Sequence, residues 1–170
     1  LDQKNNSHIM KIGVISDTHS YFHEDLKLYL KDCDEIWHAG DVGNIETLEK
    51  LENFKKTRGV FGNIDNELIR REFSEIQLFT IKKIKFLIVH IAGRPPKYNK
   101  KVQKLININK PDILICGHSH ILKIQQDKVN NLLYINPGAC GKVGFHKRKT
   151  IVRFCIEKGK IDKLEVVELS

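Results

Sequence analysis

The chain has 170 residues, 41% of them hydrophobic and 29% charged, with a formal net charge of +8. This length can bury one continuous core without disulfide or structural-metal staples, and the composition excludes a disordered or low-complexity chain. Apart from a denser run at His146-Lys147-Arg148-Lys149, the positive surplus is scattered over lysines; it favours anionic ligands without choosing between nucleic acid and phosphate esters.

Residues 1–9, LDQKNNSHI, are polar and precede Met10-Lys11, where the first apolar run begins; they read as a vector-derived leader before one domain over residues 10–170. KIGVIS (11–16) is a short β-branched run, a buried strand ending in polar Asp17-Thr18-His19. A helix is expected from about Glu24 to Lys31, with Leu26, Leu28 and Leu30 as its apolar residues, and then a strand through Glu35-Ile36-Trp37-His38 into Ala39-Gly40-Asp41. Ile45, Leu48, Leu51 and Phe54 recur at helical spacing, and Arg58-Gly59-Val60-Phe61 leads as a strand into Gly62-Asn63-Ile64-Asp65. IQLFTI and IKFLIVH (76–90) suggest a hairpin whose second arm ends on His90. Residues 101–109 look helical, Pro111 stops that helix, and DILICG is a strand delivering Gly117-His118-Ser119-His120. Strand-like stretches follow near 121–127, 131–135, 149–157 and 160–168, the last two joined by the turn Glu157-Lys158-Gly159-Lys160. Helices alternate with strands in front and strands dominate behind, which argues an α/β fold with sheets at the centre and helices outside.

Cys33, Cys116, Cys140 and Cys155 are far apart and form no CxxC pair, so neither a zinc ribbon nor a disulfide framework is signalled and a reducing cytoplasm is expected. No apolar run approaches the roughly 20 residues that span a bilayer, and no signal-peptide apolar region is present, so no membrane partner is expected.

Five of the strand-like runs end in groups that can bind a metal: Asp17 with His19, then Asp41, Asn63, His90, and His118 with His120. Carboxyl ends of strands in α/β sheets gather on one side, so donors distant in sequence can converge there. Carboxylate, imidazole and amide without thiolate suit Mn, Fe, Zn or Ni rather than a structural zinc site. Seven donors exceed one tetrahedral ion and suit two ions sharing a bridging carboxylate, an arrangement that clamps a phosphoryl group. Taken singly, Asp17-Thr18-His19-Ser20 also fits a helix cap, and Gly40-Asp41 and Gly62-Asn63 also fit simple turns.

Asp17-Thr18-His19, Gly40-Asp41, Gly62-Asn63-Ile64-Asp65, His90 and Gly117-His118-Ser119-His120 occur in the order found in the calcineurin-like metallophosphoesterases, and the chain from Met10 onward resembles their small, single-domain phosphodiesterase branch. The resemblance implies a four-layer sandwich of two central mixed β-sheets flanked by helices. It implies two divalent metals, Mn foremost with Zn, Fe and Ni also suited, one held by Asp17, His19, Asp41 and His120 and the other by Asp41, Asn63, His90 and His118. Asp41 would bridge, and Asp41, Asn63 and His118 would act catalytically through the metals on a small phosphodiester attacked by a two-metal-activated hydroxide.

Two departures stand out. Many relatives carry a proton-donating His in the third motif where this chain has Ile64, and the branch resembled here often has Cys there; an isoleucine cannot transfer a proton, and general acid catalysis contributes about 10²–10⁴-fold. The fourth motif, commonly His-Gly, is here His90-Ile91-Ala92-Gly93-Arg94-Pro95-Pro96. Arg94 is a candidate contact to a phosphate oxygen, and Asp65 is a candidate for ordering the loop rather than binding metal. Asn136-Pro137-Gly138 is given a supporting role, whereas Trp37, His38 and His146 are assigned to surface or core without chemistry. Two alternatives to a phosphodiesterase remain: a weakly active interaction module, as in the retromer subunit that shares the fold, and a nuclease. The nuclease is disfavoured because the basic run lacks interleaved aromatics. Oligomeric state is open.

Overall fold

β-Branched residues buried on both faces from Ile12 onward make β1 (Met10–Ile15) an interior strand. This computed structural model describes residues 8–170, so positions 1–7 of the expected leader lie outside the described residues. Helix α1 (Asp25–Tyr29) is shorter than expected. Leu26 and Leu30 are buried, but Leu28 is 58% exposed, because spacing of two residues cannot keep three leucines on one helical face. Strand β2 (Glu35–His38) lies parallel to β1. Helix α2 (Ile45–Phe54) is capped by the Asn44 side chain, which accepts from Thr47 N at 3.0 Å. Strand β3 (Thr57–Gly59) is parallel to β2 and ends before the expected Phe61; beyond it Val60 forms only an isolated bridge to Ser74. Helix α3 (Glu67–Glu72), capped by Asn66, has no counterpart among the expected elements, since six residues are too few for a periodic signal.

The expected hairpin is present as β4 (Ile76–Ile81) and β5 (Ile84–Val89). Lys82 and Lys83 both take positive φ in its two-residue turn, matching the twist of the strands. A small hairpin, β6 (Gly93–Arg94) and β7 (Lys97–Tyr98), precedes α4 (Lys100–Asn109), which Asn99 caps and a left-handed Lys110 ends just before Pro111. Strands β8 (Ile113–Ile115), β9 (Leu122–Asp127), β10 (Leu132–Pro137), β11 (Lys149–Glu157) and β12 (Lys160–Leu169) complete the chain.

Two mixed five-stranded sheets result, in the orders β12-β11-β1-β2-β3 and β4-β5-β8-β10-β9. Ile12, Val14 and Trp37 of the first sheet pack against Phe86, Ile88 and Ile115 of the second, and the Trp37 and Phe86 rings meet edge to face at 4.8 Å. The outer face of the first sheet is covered by Leu26 and Leu30 around α1 and by Leu51 of α2. Val102 and Ile106 of α4 cover the outer face of the second. The expected four-layer sandwich is therefore present. All four cysteines are buried free thiols, and no helix among the described residues is long and apolar enough to cross a membrane.

Candidate metal centre

β1, β2 and β3 run parallel in one sheet, and β5, β8 and β10 run parallel in the other. Each turn that leaves them can thus carry a polar group to a common edge. Backbone bonds lock these turns together: Asp17 N donates to Gly40 O at 3.0 Å, and Gly117 N donates to His90 O at 3.0 Å. The two sheets are joined at this edge by His90, whose Nδ1–H donates to Ala39 O at 2.7 Å.

Six of the seven expected donors form two adjoining groups, Asp17 with His19 and His120, and Asp41 with His90 and His118; within each, the donor atoms lie within 4.8 Å of one another. His120 Nε2 stands 3.2 Å from Asp17 Oδ1 and His19 Nε2 stands 3.8 Å from it. In the second group, His90 Nε2 lies 3.2 Å from Asp41 Oδ1. Asn63 belongs there too, with Oδ1 3.0 Å from both His90 Nε2 and His118 Nδ1. Asp41 faces both groups, its Oδ2 being 3.5 Å from His19 Nε2.

The donor set fits cations. Asp17 Oδ1 and His19 Nε2 are buried without a hydrogen-bond partner, an arrangement that costs free energy unless a positive group lies between such atoms. Because His90 spends its Nδ1 hydrogen on Ala39, its Nε2 faces two further acceptors, Asp41 Oδ1 and Asn63 Oδ1. A second proton on His90 Nε2, or a metal there, relieves this crowding of lone pairs.

The electrostatics agree. Burial pushes the Asp17 carboxyl up, but the imidazoles of His120 and His19, the charge of His90 and the Ser16 hydroxyl more than offset it and hold it well below the ordinary carboxylate range. Asp41 is likewise pushed up by burial yet ends low because of His90 and the Ile64 N–H. His90, despite burial, is raised by Asp41 and Asp17, and His120 is raised first by its contact with Asp17. The carboxylates are thus ready to bind positive charge at neutral pH.

Backbone strain concentrates at the same edge. Asp17, His19, Asp41, His118 and His120 all adopt positive φ, between 44° and 70°, a sparsely populated region costing about 1 kcal/mol or more per residue. Close approach is also required: a Cβ on Gly62 would stand 2.0 Å from Asp41 Oδ1.

Asp65 binds no member of either group. Its carboxylate accepts from Val42 N, Gly43 N and Gly62 N at 3.2, 2.8 and 2.7 Å, linking the turns that hold Asp41 and Asn63. Asn136, at the end of β10, donates through Nδ2 to Gly117 O and Ser119 Oγ, steadying the His118 turn. Arg94 is exposed and lines a cleft of about 490 Å³ together with His118, Lys123 and Tyr134. Ile64 is 45% exposed beside the centre, and only its N–H engages Asp41.

Two histidines assigned no chemistry belong to the surroundings of this site. His38 is fully buried; its Nδ1 accepts from Gly40 N at 3.0 Å, so its Nε2–H donates to Thr18 Oγ1 at 2.9 Å. It ties together the turns that hold Asp17 and Asp41. His146, assigned to surface or core, has Nδ1 3.3 Å from His120 Nδ1. Lone histidines carry no spacing signal, and only the fold reveals what they touch.

Residues 10–159 match the calcineurin-like phosphoesterase superfamily domain. The chain belongs to this superfamily. A probable metallophosphoesterase of Methanocaldococcus jannaschii is 34% identical over 163 residues, spanning 92% of this chain and 79% of its own length. A phosphodiesterase of the same organism is 26% identical over 147 residues, 77% of this chain and 84% of its own. Among solved structures, Vps29 of Chaetomium thermophilum superposes with a TM-score of 0.75 at 14% identity, covering 94% of this chain and 93% of that one, a likeness of fold alone. Membership places the chain in a family of hydrolase-type phosphoesterases and implies divalent metal ions.

Proposed function

We propose that this metallophosphoesterase hydrolyses a small phosphodiester with two divalent metals. Asp17, His19, Asp41 and His120 would hold one ion, and Asp41, Asn63, His90 and His118 the other. The observation that carries this reading is the placement of Asp41, with one oxygen toward His19 and the other toward His90. When bound, such metals neutralise charge on the phosphoryl oxygens and make water acidic enough to furnish a nucleophile near neutral pH. Mn leads among the ions the donors suit, followed by Zn, Fe and Ni.

The rest of the chemistry falls to the chain. Two clefts flank the centre and meet at Ile91: one of about 450 Å³ bounded by Phe61, Asn63, Arg70 and His90, the other holding Arg94 and His118. A diester carries a group on each side of phosphorus, and two clefts accommodate both, which favours a diester over a monoester. Arg94 can aim its guanidinium at a non-bridging oxygen from the second cleft. Ile64 offers no proton to the departing group, so substrates with good leaving groups suit this site best.

The same isoleucine favours a second reading, a fold member that binds metal but turns over little and serves in interaction. An assay on an activated aryl phosphodiester separates the two. The proposal expects turnover that chelator abolishes and Mn²⁺ restores; full activity in metal-stripped protein would overturn it, and metal uptake without turnover would favour the second reading.

A further inference from the structure

His120 reaches the first donor group through Nε2, leaving Nδ1 to face His146. The direction of each hydrogen bond between them is fixed by chemistry. His146 Nε2 lies 2.8 Å from Gly141 O, an oxygen that can only accept, so this nitrogen carries the hydrogen. In a neutral imidazole the other nitrogen is then an acceptor. His146 Nδ1 therefore receives the hydrogen of His120 Nδ1 across 3.3 Å. In a neutral His120 the lone pair is then on Nε2, where a cation beside Asp17 Oδ1, 3.2 Å away, can take it up.

The loop is shaped for this contact. Gly144 adopts φ +129°, and a Cβ there would stand 2.2 Å from His120 Nδ1 and 2.9 Å from His146 Nδ1, so a side chain would wedge the rings apart. The rings meet edge to face at 5.2 Å and 70°. Next to it, Phe145 is fully exposed while His146 turns inward, the reverse of what hydrophobicity alone would choose. His90 supplies a comparison within the same centre: its Nδ1–H reaches a backbone carbonyl directly. Among the described residues, His120 Nδ1 has His146 as its hydrogen-bond partner, and His146 relays a carbonyl that lies beyond its reach.

We propose that His146 is a positioning residue: the relay Gly141 O, His146, His120 holds His120 as the Nδ1–H tautomer and aims its Nε2 at the metal beside Asp17. This rests on the two-metal reading above. Partners of this kind fix the orientation and basicity of a metal-binding imidazole, and their loss typically weakens metal binding about 10–100-fold.

Calorimetric titration of Zn²⁺ into metal-stripped wild type, His146→Phe and His146→Gln tests it. The expected result is two sites in wild type, one of them weakened about 10–100-fold in His146→Phe and substantially recovered in His146→Gln, whose side-chain carbonyl can accept the same hydrogen. Long-range ¹H–¹⁵N spectra of the zinc-loaded wild type should show hydrogen on His120 Nδ1, a readout independent of any variant's folding. Unchanged affinity at both sites in His146→Phe, or hydrogen on His120 Nε2, would overturn the proposal. A wild type that takes up no zinc would instead bring down the two-metal reading, and this proposal with it.

Discussion

His38 Nε2 donates to Thr18 Oγ1 at 2.9 Å, beneath the turns that present Asp17 and Asp41. Burial pulls the His38 imidazole down from 6.5 to about 4, against the opposing charges of Asp65 and Asp17. A histidine depressed in the folded state stabilises fully above its unfolded pKa, and that stability is lost as pH falls through the folded value. The window is therefore pH 6.5 down to about 4, worth about 3 kcal/mol at 1.36 kcal/mol per pKa unit. Urea unfolding of metal-stripped wild type and His38→Asn should show the wild-type advantage shrinking across that window. Parallel curves would contradict the assignment.

Gly62→Ala should cost stability as well as activity. The added methyl meets Asp41 Oδ1 at 2.0 Å and the backbone Asp41 N at 2.3 Å, so the turn must shift together with the carboxylate that faces both donor groups. Misplacement on the order of 1 Å costs about 10²-fold in rate. The melting midpoint should fall, and in the protein still folded at low temperature kcat on an aryl phosphodiester should fall by about that factor.

Asp65→Ala should act on stability and metal affinity together. It removes an acceptor from three backbone N–H groups, each of which costs about 1–3 kcal/mol if left unsatisfied. A loss of about 3 kcal/mol is expected by denaturant titration, since water can reach part of the turn. Metal affinity should fall as well, because the same turns carry Asp41 and Asn63.

Ile64→His should change the choice of substrate more than the overall rate. Its backbone N–H already binds Asp41 at 3.1 Å and its side chain is 45% exposed beside the centre, so an imidazole there can reach a departing oxygen. Turnover of alkyl phosphodiesters should rise by about 10²-fold with little change for activated aryl esters. Equal effects on both classes would mean that the missing proton donor is not what limits this site.

Much of the site was legible because each apolar strand run stops abruptly on a polar group, and parallel strands deliver those groups to one edge. Asp17, Asp41 and His118 could be singled out in this way; that Asp41 would bridge came from the family resemblance instead, and its facing both groups depends on a turn with positive φ. His38 and His146 were missed because an isolated histidine looks alike whether it packs, orients or faces solvent. Helix α3 and the β6–β7 hairpin escaped because short elements lack a period. Leu28 misled because alternate leucines mimic an apolar face on a helix that buries only Leu26 and Leu30. That Ile64 stands where a proton donor is common was legible from its motif alone, whereas its 45% exposure beside the centre was not.

Two metals on either side of Asp41 would be visible by diffraction from crystals soaked in Mn²⁺, collected at the manganese edge. Two anomalous peaks are expected, one among Asp17, His19 and His120 and the other among Asn63, His90 and His118, with Asp41 between them. One peak, or none at this edge of the sheets, would contradict this arrangement.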